Sequence, residues 1–121
     1  HPQAFDVLVM PNLYGDIVSD LTSGLIGGLG LLPSCNIGKT YAMFEAVHGS
    51  APDIVGKHIA NPTALLLSAC MMLDYLKEEE TASSIRAAVD EVLKEAVSLT
   101  PDLHGTATTQ QFRDAIIEHL L

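Results

Sequence analysis

Two aspartates stand four residues apart in NLYGDIVSDLTSGLIGGLG (12–30), and their spacing suits a metal ion. If this segment is helical, Asp16 and Asp20 lie on one face with their Cβ atoms about 5–6 Å apart. Two like charges there destabilise a helix, whereas a hard cation such as Mg²⁺ or Mn²⁺ is bound by both carboxylates. The same pair is also typical of two solvated side chains in a first helical turn, where the helix dipole favours negative charge. Spacing alone leaves both interpretations open.

Glycines follow the two aspartates at an unusual density. Gly24, Gly27, Gly28 and Gly30 would each cost about 1 kcal/mol relative to alanine inside a helix. They are tolerated where the backbone approaches another group closely, or where a helix ends in a left-handed turn. The spacing GxxGGxG matches neither a dinucleotide fingerprint nor a P-loop, so it predicts close packing rather than a phosphate cradle.

A second set of candidate binding residues lies in HGSAPDIVGKHIAN (48–61). Long irregular segments in compact domains are often binding loops. Gly49 and Ser50 can offer backbone N–H groups to a phosphate, and His48 offers a flat ring and a ring nitrogen. A carboxylate such as Asp53 can accept hydrogen bonds from both ribose hydroxyls of an adenine dinucleotide, and it repels a 2′-phosphate. A loop histidine taken by itself is more typical of a surface residue.

Composition excludes several classes of protein. Hydrophobic residues make up 48% and charged residues 17% of the 121 residues, which is typical of a folded chain. Six basic residues against fifteen acidic ones give a net charge of −9, which argues against nucleic acid and anionic membranes as partners. The apolar runs are too short or too broken to span a bilayer.

The two cysteines, Cys35 and Cys70, form neither a disulfide framework nor a metal-ligand spacing. Cys70 lies in an apolar run and is predicted to be a buried structural thiol, which fits a reducing compartment. The chain begins HPQAF without an initiator methionine, so targeting cannot be inferred from its start.

The first half of the chain is predicted to alternate between strands and a helix. The apolar, β-branched run FDVLVM (5–10) predicts a buried strand, of the parallel type. Residues 15–29 predict a helix, with Asn12 as a cap or turn former ahead of it. The segment 31–40 is punctuated by proline and glycine and predicts a loop, and AMFEAVH (42–48) predicts a second strand.

The second half is predicted to be helical after an irregular connection over residues 49–62. Pro62 fits the first turn of a helix over 63–76 that is apolar nearly all round, so this helix should be buried against both a sheet and another helix. An amphipathic helix follows over 81–97, and Thr108 with Gln111 forms a capping-box pattern at the start of the last helix. The inner faces of these two helices are predicted at Ile85, Val89, Val92, Leu93 and Val97, and at Phe112, Ile116 and Leu120.

The predicted order of elements indicates an α/β fold with two strands and about four helices. Two strands are too few to form a sheet that covers those helices. Residues 1–121 are therefore expected to be one part of a domain whose other strands lie elsewhere.

Both candidate motifs together resemble those of the β-decarboxylating dehydrogenases, which act on isocitrate, 3-isopropylmalate or homoisocitrate. NLYGDIVSD (12–20) is similar to the family's metal motif and HGSAPDIVGKHIANP (48–62) to its cofactor loop, and the likeness continues through NPTALLLSACMMLDYL and TPDLHGTATTQQF. The resemblance implies that 1–121 is a C-terminal segment of the family's large α/β domain. The family's substrate-binding serine and arginines, its proton-transferring tyrosine and lysine and a further metal aspartate lie upstream, so the segment alone is expected to lack turnover.

The same resemblance implies ligands for a metal and for NAD. Asp16 would be a direct ligand of Mg²⁺ or Mn²⁺, and Asp20 a second ligand or the holder of a bound water. His48 would lie along adenine and ribose, and Asp53 with Ile54 matches the loop that selects NAD over NADP. The full set of implied cofactor contacts is His48, Gly49, Ser50, Ala51, Asp53, Ile54 and Asn61.

Within the family, FEAVHG and GGLGLLPSCNIG favour the isocitrate branch, since the other two branches usually carry proline where Ala46 stands. The implied reaction is NAD-dependent oxidative decarboxylation of isocitrate to 2-oxoglutarate, in a homodimer or hetero-oligomer whose active site is shared between subunits. The implied location is cytoplasmic in a bacterium and the mitochondrial matrix in a eukaryote. The alternatives are a 3-isopropylmalate or homoisocitrate dehydrogenase, and a non-catalytic regulatory subunit, which would tend to lose the aspartates and the HGSAPD loop.

Overall fold

The computed structural model describes the backbone of residues 1–121 and the side chains of all of these residues except Pro2 and Leu29. The backbone forms four α-helices and one sheet of two strands, which agrees with the predicted α/β class and the predicted number of elements. In chain order these are α1 (Asn12–Leu25), β1 (Pro33–Ile37), β2 (Ala42–Ala46), α2 (Thr63–Tyr75), α3 (Glu79–Glu95) and α4 (Thr109–Leu120).

The sheet is an antiparallel hairpin whose register runs from Pro33 opposite Ala46 to Ile37 opposite Ala42. The strand predicted over 42–48 is confirmed as β2, but the loop predicted over 31–40 is wrong because β1 lies within it. The prediction relied on the proline and glycine residues of this segment, which are typical of loops. Pro33 occupies the first position of a strand that has a neighbour on one side only, where a missing N–H is tolerated.

The parallel buried strand predicted over residues 5–10 is also wrong. These residues form no strand, and Val7 and Val9 are 79% and 94% exposed. A strand exists only when a neighbour pairs with its backbone N–H and C=O groups. Within residues 1–121 the two strands that form a sheet pair with each other, so the apolar run 5–10 has no sheet to join.

Helix α1 is displaced from the prediction of 15–29. It begins after Pro11, so Asn12 is its first residue rather than its cap, and no side chain caps its N-terminus. It ends at Leu25 because Gly27 and Gly28 adopt φ angles of +121° and +119°, which an α-helix cannot continue.

Helix α2 packs against both strands and against α3, as its apolar sequence predicted. Ala64 and Cys70 are buried, and the Ser68 hydroxyl donates a 2.6 Å hydrogen bond to the backbone carbonyl of Glu45 in β2. Cys70 is thus a buried thiol, as predicted, and its burial raises its pKa. Burial of α2 is incomplete, since Leu65 is 62% exposed.

Helices α3 and α4 enclose the apolar core, which contains Ala88, Val89, Val92, Phe112 and Ile116. This confirms four of the predicted inner-face residues. Two others are wrong: Val97 is 82% exposed and Leu120 is 43% exposed.

The ends of α3 and α4 explain these outcomes. Helix α3 stops before Ala96, whose φ of +55° turns the chain, so Val97 no longer follows the helical face. Helix α4 begins with the predicted capping box, in which the Gln111 N–H donates to Thr108 Oγ1 at 3.2 Å and the Thr108 N–H donates to Gln111 Oε1 at 2.8 Å. None of the helices described combines the length and apolarity needed to cross a bilayer.

A close backbone approach at Gly105 makes this position intolerant of any side chain. A Cβ there would lie 1.9 Å from the Leu99 carbonyl oxygen. We expect Gly105→Ala to lower the free energy of unfolding by about 1–3 kcal/mol through overpacking, measured by urea denaturation. Gly24→Ala is the matched control, because its Cβ would meet nothing within 4 Å and should stabilise α1 by up to about 1 kcal/mol. Equal stability of the two variants would contradict the structure.

The ion pair between α2 and α3 predicts a pH-dependent stability. Arg86 donates hydrogen bonds to Asp74 and lowers the pKa of that carboxyl below its ordinary value of 3.8. The stabilisation is therefore complete above the unfolded pKa, about 4, and is lost as the pH falls through the lower folded pKa. We expect Asp74→Asn to lower the urea midpoint at pH 7 and to lose this difference on acidification below 3.8. A difference that persists unchanged in acid would contradict this assignment.

Candidate functional site

A groove of about 1050 Å³ lies between three segments that are far apart in the sequence. These segments are the glycine-rich turn after α1, the loop between β2 and α2, and the residues around the start of α4. The residues used below are Gly27, Gly28, Gly30, His48, Gly49, Ser50, Ala51, Ile54, His58, Asn61, Asp102, Thr109 and Gln110.

The loop between β2 and α2 presents unpaired backbone to the groove. Among the described residues, the N–H groups of Gly49, Ser50 and Ala51 donate no hydrogen bond to the protein. Ala51 and His58 adopt left-handed conformations with φ of +42° and +57°, which non-glycine residues adopt mainly at binding sites and tight turns. This loop has few bonds of its own and is shaped by its surroundings.

The C-terminal part of the chain holds the loop in place from the other side of the groove. The Thr109 N–H donates to the His58 carbonyl at 2.8 Å, and the Thr109 hydroxyl donates to the Ala60 carbonyl. The Asn61 side-chain amide donates to the Asp102 carboxylate at 2.9 Å. The start of α4 and the 3-10 turn before it therefore fix one rim of the groove.

The glycine-rich turn after α1 contributes the remaining wall. Gly27 is explained by its φ of +121°, which L side chains rarely adopt, more than by its packing, since a Cβ there would meet only the flexible end of Leu31 at 2.9 Å. A Cβ on Gly24, Gly28 or Gly30 would meet nothing within 4 Å, so close packing within the chain is wrong for these three. Gly28 and Gly30 face the groove instead.

Most of the predicted cofactor residues meet in this groove. His48, Gly49, Ser50, Ala51, Ile54 and Asn61 line it. Asp53 does not: it is exposed in the 3-10 turn over residues 52–54, beside the groove in sequence but outside its lining.

Sequence reasoning missed the wall formed by Asp102, Thr109 and Gln110. These residues lie 41 or more positions beyond Asn61, and their types are ordinary for a helix start. The one available signal was the segment TPDLHGTATTQQF (100–112). It resembles the corresponding segment of the family, but the resemblance assigned no role to its individual residues.

The groove contains little charge. Its ionisable lining side chains are His48, His58 and Asp102, and no lysine or arginine lines it among the described residues. A phosphate in this groove would be bound by backbone N–H groups, which bind anions without net positive charge.

The predicted metal ligands lie apart from the groove lining, on α1. Asp16 and Asp20 are exposed, and their carboxylates form no hydrogen bond or ion pair with any described residue. Helix α1 contains no lysine or arginine to offset them. No group of three or more His, Cys, Asp or Glu side chains able to hold a metal occurs among the described residues. The pair fits a hard cation whose other ligands are waters or substrate oxygens.

Solved structures place this arrangement within a known class of α/β dehydrogenases. The crystal structure of isocitrate dehydrogenase from Methylococcus capsulatus matches 98% of the chain with a TM-score of 0.90 and 53% identity, and the match covers 36% of that protein. The sequence model of the isocitrate/isopropylmalate dehydrogenase family matches residues 1–116. The chain belongs to this family.

Curated relatives agree with the family assignment. The isocitrate/homoisocitrate dehydrogenase of Thermus thermophilus is 62% identical over 98% of the chain and 35% of its own length. The Arabidopsis thaliana mitochondrial isocitrate dehydrogenase [NAD] catalytic subunit 5 is 60% identical over 99% of the chain and 32% of its own length. The chain thus spans about a third of the length of these relatives, which are oxidoreductases.

Proposed function

We propose that the full-length protein is an NAD-dependent, metal-assisted isocitrate dehydrogenase that converts isocitrate to 2-oxoglutarate and CO₂. The observation that carries this proposal is the groove in which six predicted cofactor residues meet, in a chain 60% identical to a catalytic subunit named for NAD. The described segment would supply contacts to NAD and to the metal. The remainder of the subunit would supply the substrate-binding and proton-transfer groups.

The groove would hold NAD through backbone and shape rather than through charge. The free N–H groups of residues 49–51 would donate to the phosphates, and the ring of His48 would lie along the adenosine. Asp53 stands exposed in the 3-10 turn within this loop, where its carboxylate would accept hydrogen bonds from the ribose hydroxyls and repel a 2′-phosphate.

Asp16 and Asp20 would hold Mg²⁺ or Mn²⁺. Two carboxylates on one helical face without a basic partner repel each other, and a divalent cation reverses this repulsion. When bound, such a cation supplies Lewis-acid stabilisation of the negative charge that develops on substrate oxygens. The two aspartates would fix its position and leave coordination sites for isocitrate.

We infer that further parts of the subunit or its oligomer cover the apolar surface of the segment. Leu13, Ile17, Leu21 and Leu25 recur every fourth residue of α1 and are 56–76% exposed. Phe5, Val7, Leu8 and Val9 are also more than half exposed, and exposed apolar patches mark interaction surfaces. This supports residues 1–121 as the C-terminal segment of one domain within a homodimer or hetero-oligomer. The names of mitochondrial relatives support the matrix as the location in a eukaryote, and the cytoplasm is the location proposed for a bacterium.

Homoisocitrate dehydrogenase is the second candidate, because the Thermus relative is named for both substrates. Comparison of kcat/KM for isocitrate, homoisocitrate and 3-isopropylmalate with the full-length enzyme would decide between them. A regulatory subunit would instead show effector binding without NAD or metal binding.

Removal of either metal ligand provides the central test. In the full-length enzyme, we expect Asp16→Asn and Asp20→Asn each to lower kcat/KM for isocitrate by about 100-fold or more, since each removes an anionic ligand. The concentration of Mn²⁺ needed for half-maximal activity should rise, while NAD binding measured by calorimetry is retained. Asp90→Asn on the exposed face of α3 is the control and should change none of these quantities. Undiminished activity in both aspartate variants would refute the assignment.

Cofactor choice provides a second test, at Asp53. We expect Asp53→Lys to raise the KM for NAD and lower the KM for NADP, because it replaces a ribose acceptor by a cation that attracts the 2′-phosphate. A change of about tenfold in the ratio of the two kcat/KM values corresponds to 1.4 kcal/mol. Lys39→Ala, which removes an exposed lysine outside both this loop and the groove lining, is the control. An unchanged NAD/NADP ratio would exclude Asp53 from cofactor selection.

A further inference from the structure

The side chain of Asn61 is held by the protein at both of its polar atoms. Its Oδ1 accepts from the Thr63 N–H at 2.9 Å and from the Thr63 hydroxyl at 2.6 Å, so both lone pairs are used. Its Nδ2 donates to Asp102 Oδ2 at 2.9 Å. Thr63 and Asp102 together fix the orientation of an amide that lines the groove.

The two hydrogen-bond partners of Asn61 lie at very different distances from it along the sequence. Thr63 is its near neighbour at the start of α2, whereas Asp102 is 41 residues away on the 3-10 turn over Pro101–Leu103. Asp102 is the one distant partner of the Asn61 side chain among the described residues. Its bond crosses between two segments that both line the groove.

The turn that carries Asp102 is itself rigidly placed. Thr100, which precedes it, is fully buried, and its carbonyl accepts from the N–H groups of Leu103 at 3.0 Å and Gly105 at 3.1 Å. Gly105, which follows the turn, packs closely against the Leu99 backbone, since a Cβ on it would clash with the Leu99 carbonyl. Asp102 therefore presents its carboxylate from a fixed backbone.

The bonds of Thr109 do not replace that of Asp102. They fix the carbonyl groups of His58 and Ala60, which are backbone atoms of the loop, and they do not involve the Asn61 side chain. A hydrogen bond with an ionised acceptor is about twice as strong as a neutral one. Asp102 thus supplies the one bond that ties the Asn61 amide to a distant segment of the described chain.

We propose that Asp102 is a positioning residue of the cofactor groove, which acts by orienting Asn61 from the opposite wall. This inference rests on the proposed function, since it assumes that an adenine dinucleotide occupies the groove. Loss of the Asp102 acceptor leaves the Asn61 amide held by Thr63 alone and loosens the rim between the loop and the turn. Cofactor affinity should fall, and the steps that follow binding should not.

Kinetics of the full-length enzyme separate this role from a general effect on folding. We expect Asp102→Ala to raise the KM for NAD about tenfold, the loss of one hydrogen bond to a charged group, with kcat and the KM for isocitrate changed by less than about twofold. Asp102→Asn retains an oxygen that faces Asn61 Nδ2 and should restore most of the NAD affinity. Asp114→Ala, which removes a comparable carboxylate from the exposed side of α4, should leave all three constants unchanged.

A double variant that exchanges the two side chains, Asn61→Asp with Asp102→Asn, tests the same hydrogen bond without removing either side chain. Asn61→Asp alone places two carboxylates against each other and should raise the KM for NAD strongly, whereas adding Asp102→Asn restores a donor and an acceptor and should return the KM toward the wild-type value. An Asp102→Ala KM within about twofold of wild type, or a double variant no better than Asn61→Asp alone, would overturn the proposal. Failure of the proposed function is distinct: the wild-type enzyme would then bind no NAD in calorimetry.

Discussion

Packing of α2 against the β-hairpin is the constraint from which the geometry of the groove follows. The Ser68 hydroxyl on α2 donates a hydrogen bond to the Glu45 carbonyl on β2. These two elements hold the two ends of the loop that lies between them in the sequence. With its two ends fixed, a loop of this length still has many conformations, and its internal backbone bonds are few. The hydrogen bonds that Thr109 and Asp102 form with the loop select one of these conformations.

Helix α1 is tied to this assembly much more weakly than α2. Its one buried residue is Ser23, whose hydroxyl donates to the Asp20 carbonyl within the same helix. The connection to the groove is the turn at Gly27 and Gly28, whose positive φ angles reverse the chain. The position of the carboxylate pair relative to the groove thus depends on Gly27 and Gly28, whose backbone conformation other residues rarely adopt. It also depends on the apolar face of α1, which the rest of the proposed subunit would cover.

Features that were predicted correctly are those encoded within a few residues. The capping box of Thr108 and Gln111, the periodicity of α3 and the apolar α2 each need only a local pattern, and each appears as predicted. Features that failed depend on distant partners. The run 5–10 has the sequence of a buried strand but has no neighbour to pair with, and β1 forms despite Pro33 because β2 supplies its partner.

The candidate site divides in the same way. Six of the predicted cofactor residues line the groove, and they could be predicted together because they lie in one contiguous loop that carries a family resemblance. The opposite wall was missed because Asp102 gains its role only from proximity to Asn61, which no sequence spacing reports. Asp53 shows the reverse case, where membership in the right loop did not place the side chain in the groove lining.

The charge of the chain bears on the kind of anion that the groove can accept. A net charge of −9 repels an extended polyanion along its whole length, and no lysine or arginine lines the groove among the described residues to compensate. For a small ligand the balance differs, since charges farther away than about 8 Å are largely screened at physiological ionic strength. Backbone N–H groups bind an anion at hydrogen-bonding distance, which is much shorter than this screening distance. The negative charge of the distant surface therefore has little effect on them. The acidic composition therefore disfavours an extended polyanion and is compatible with the proposed dinucleotide bound by the backbone of residues 49–51.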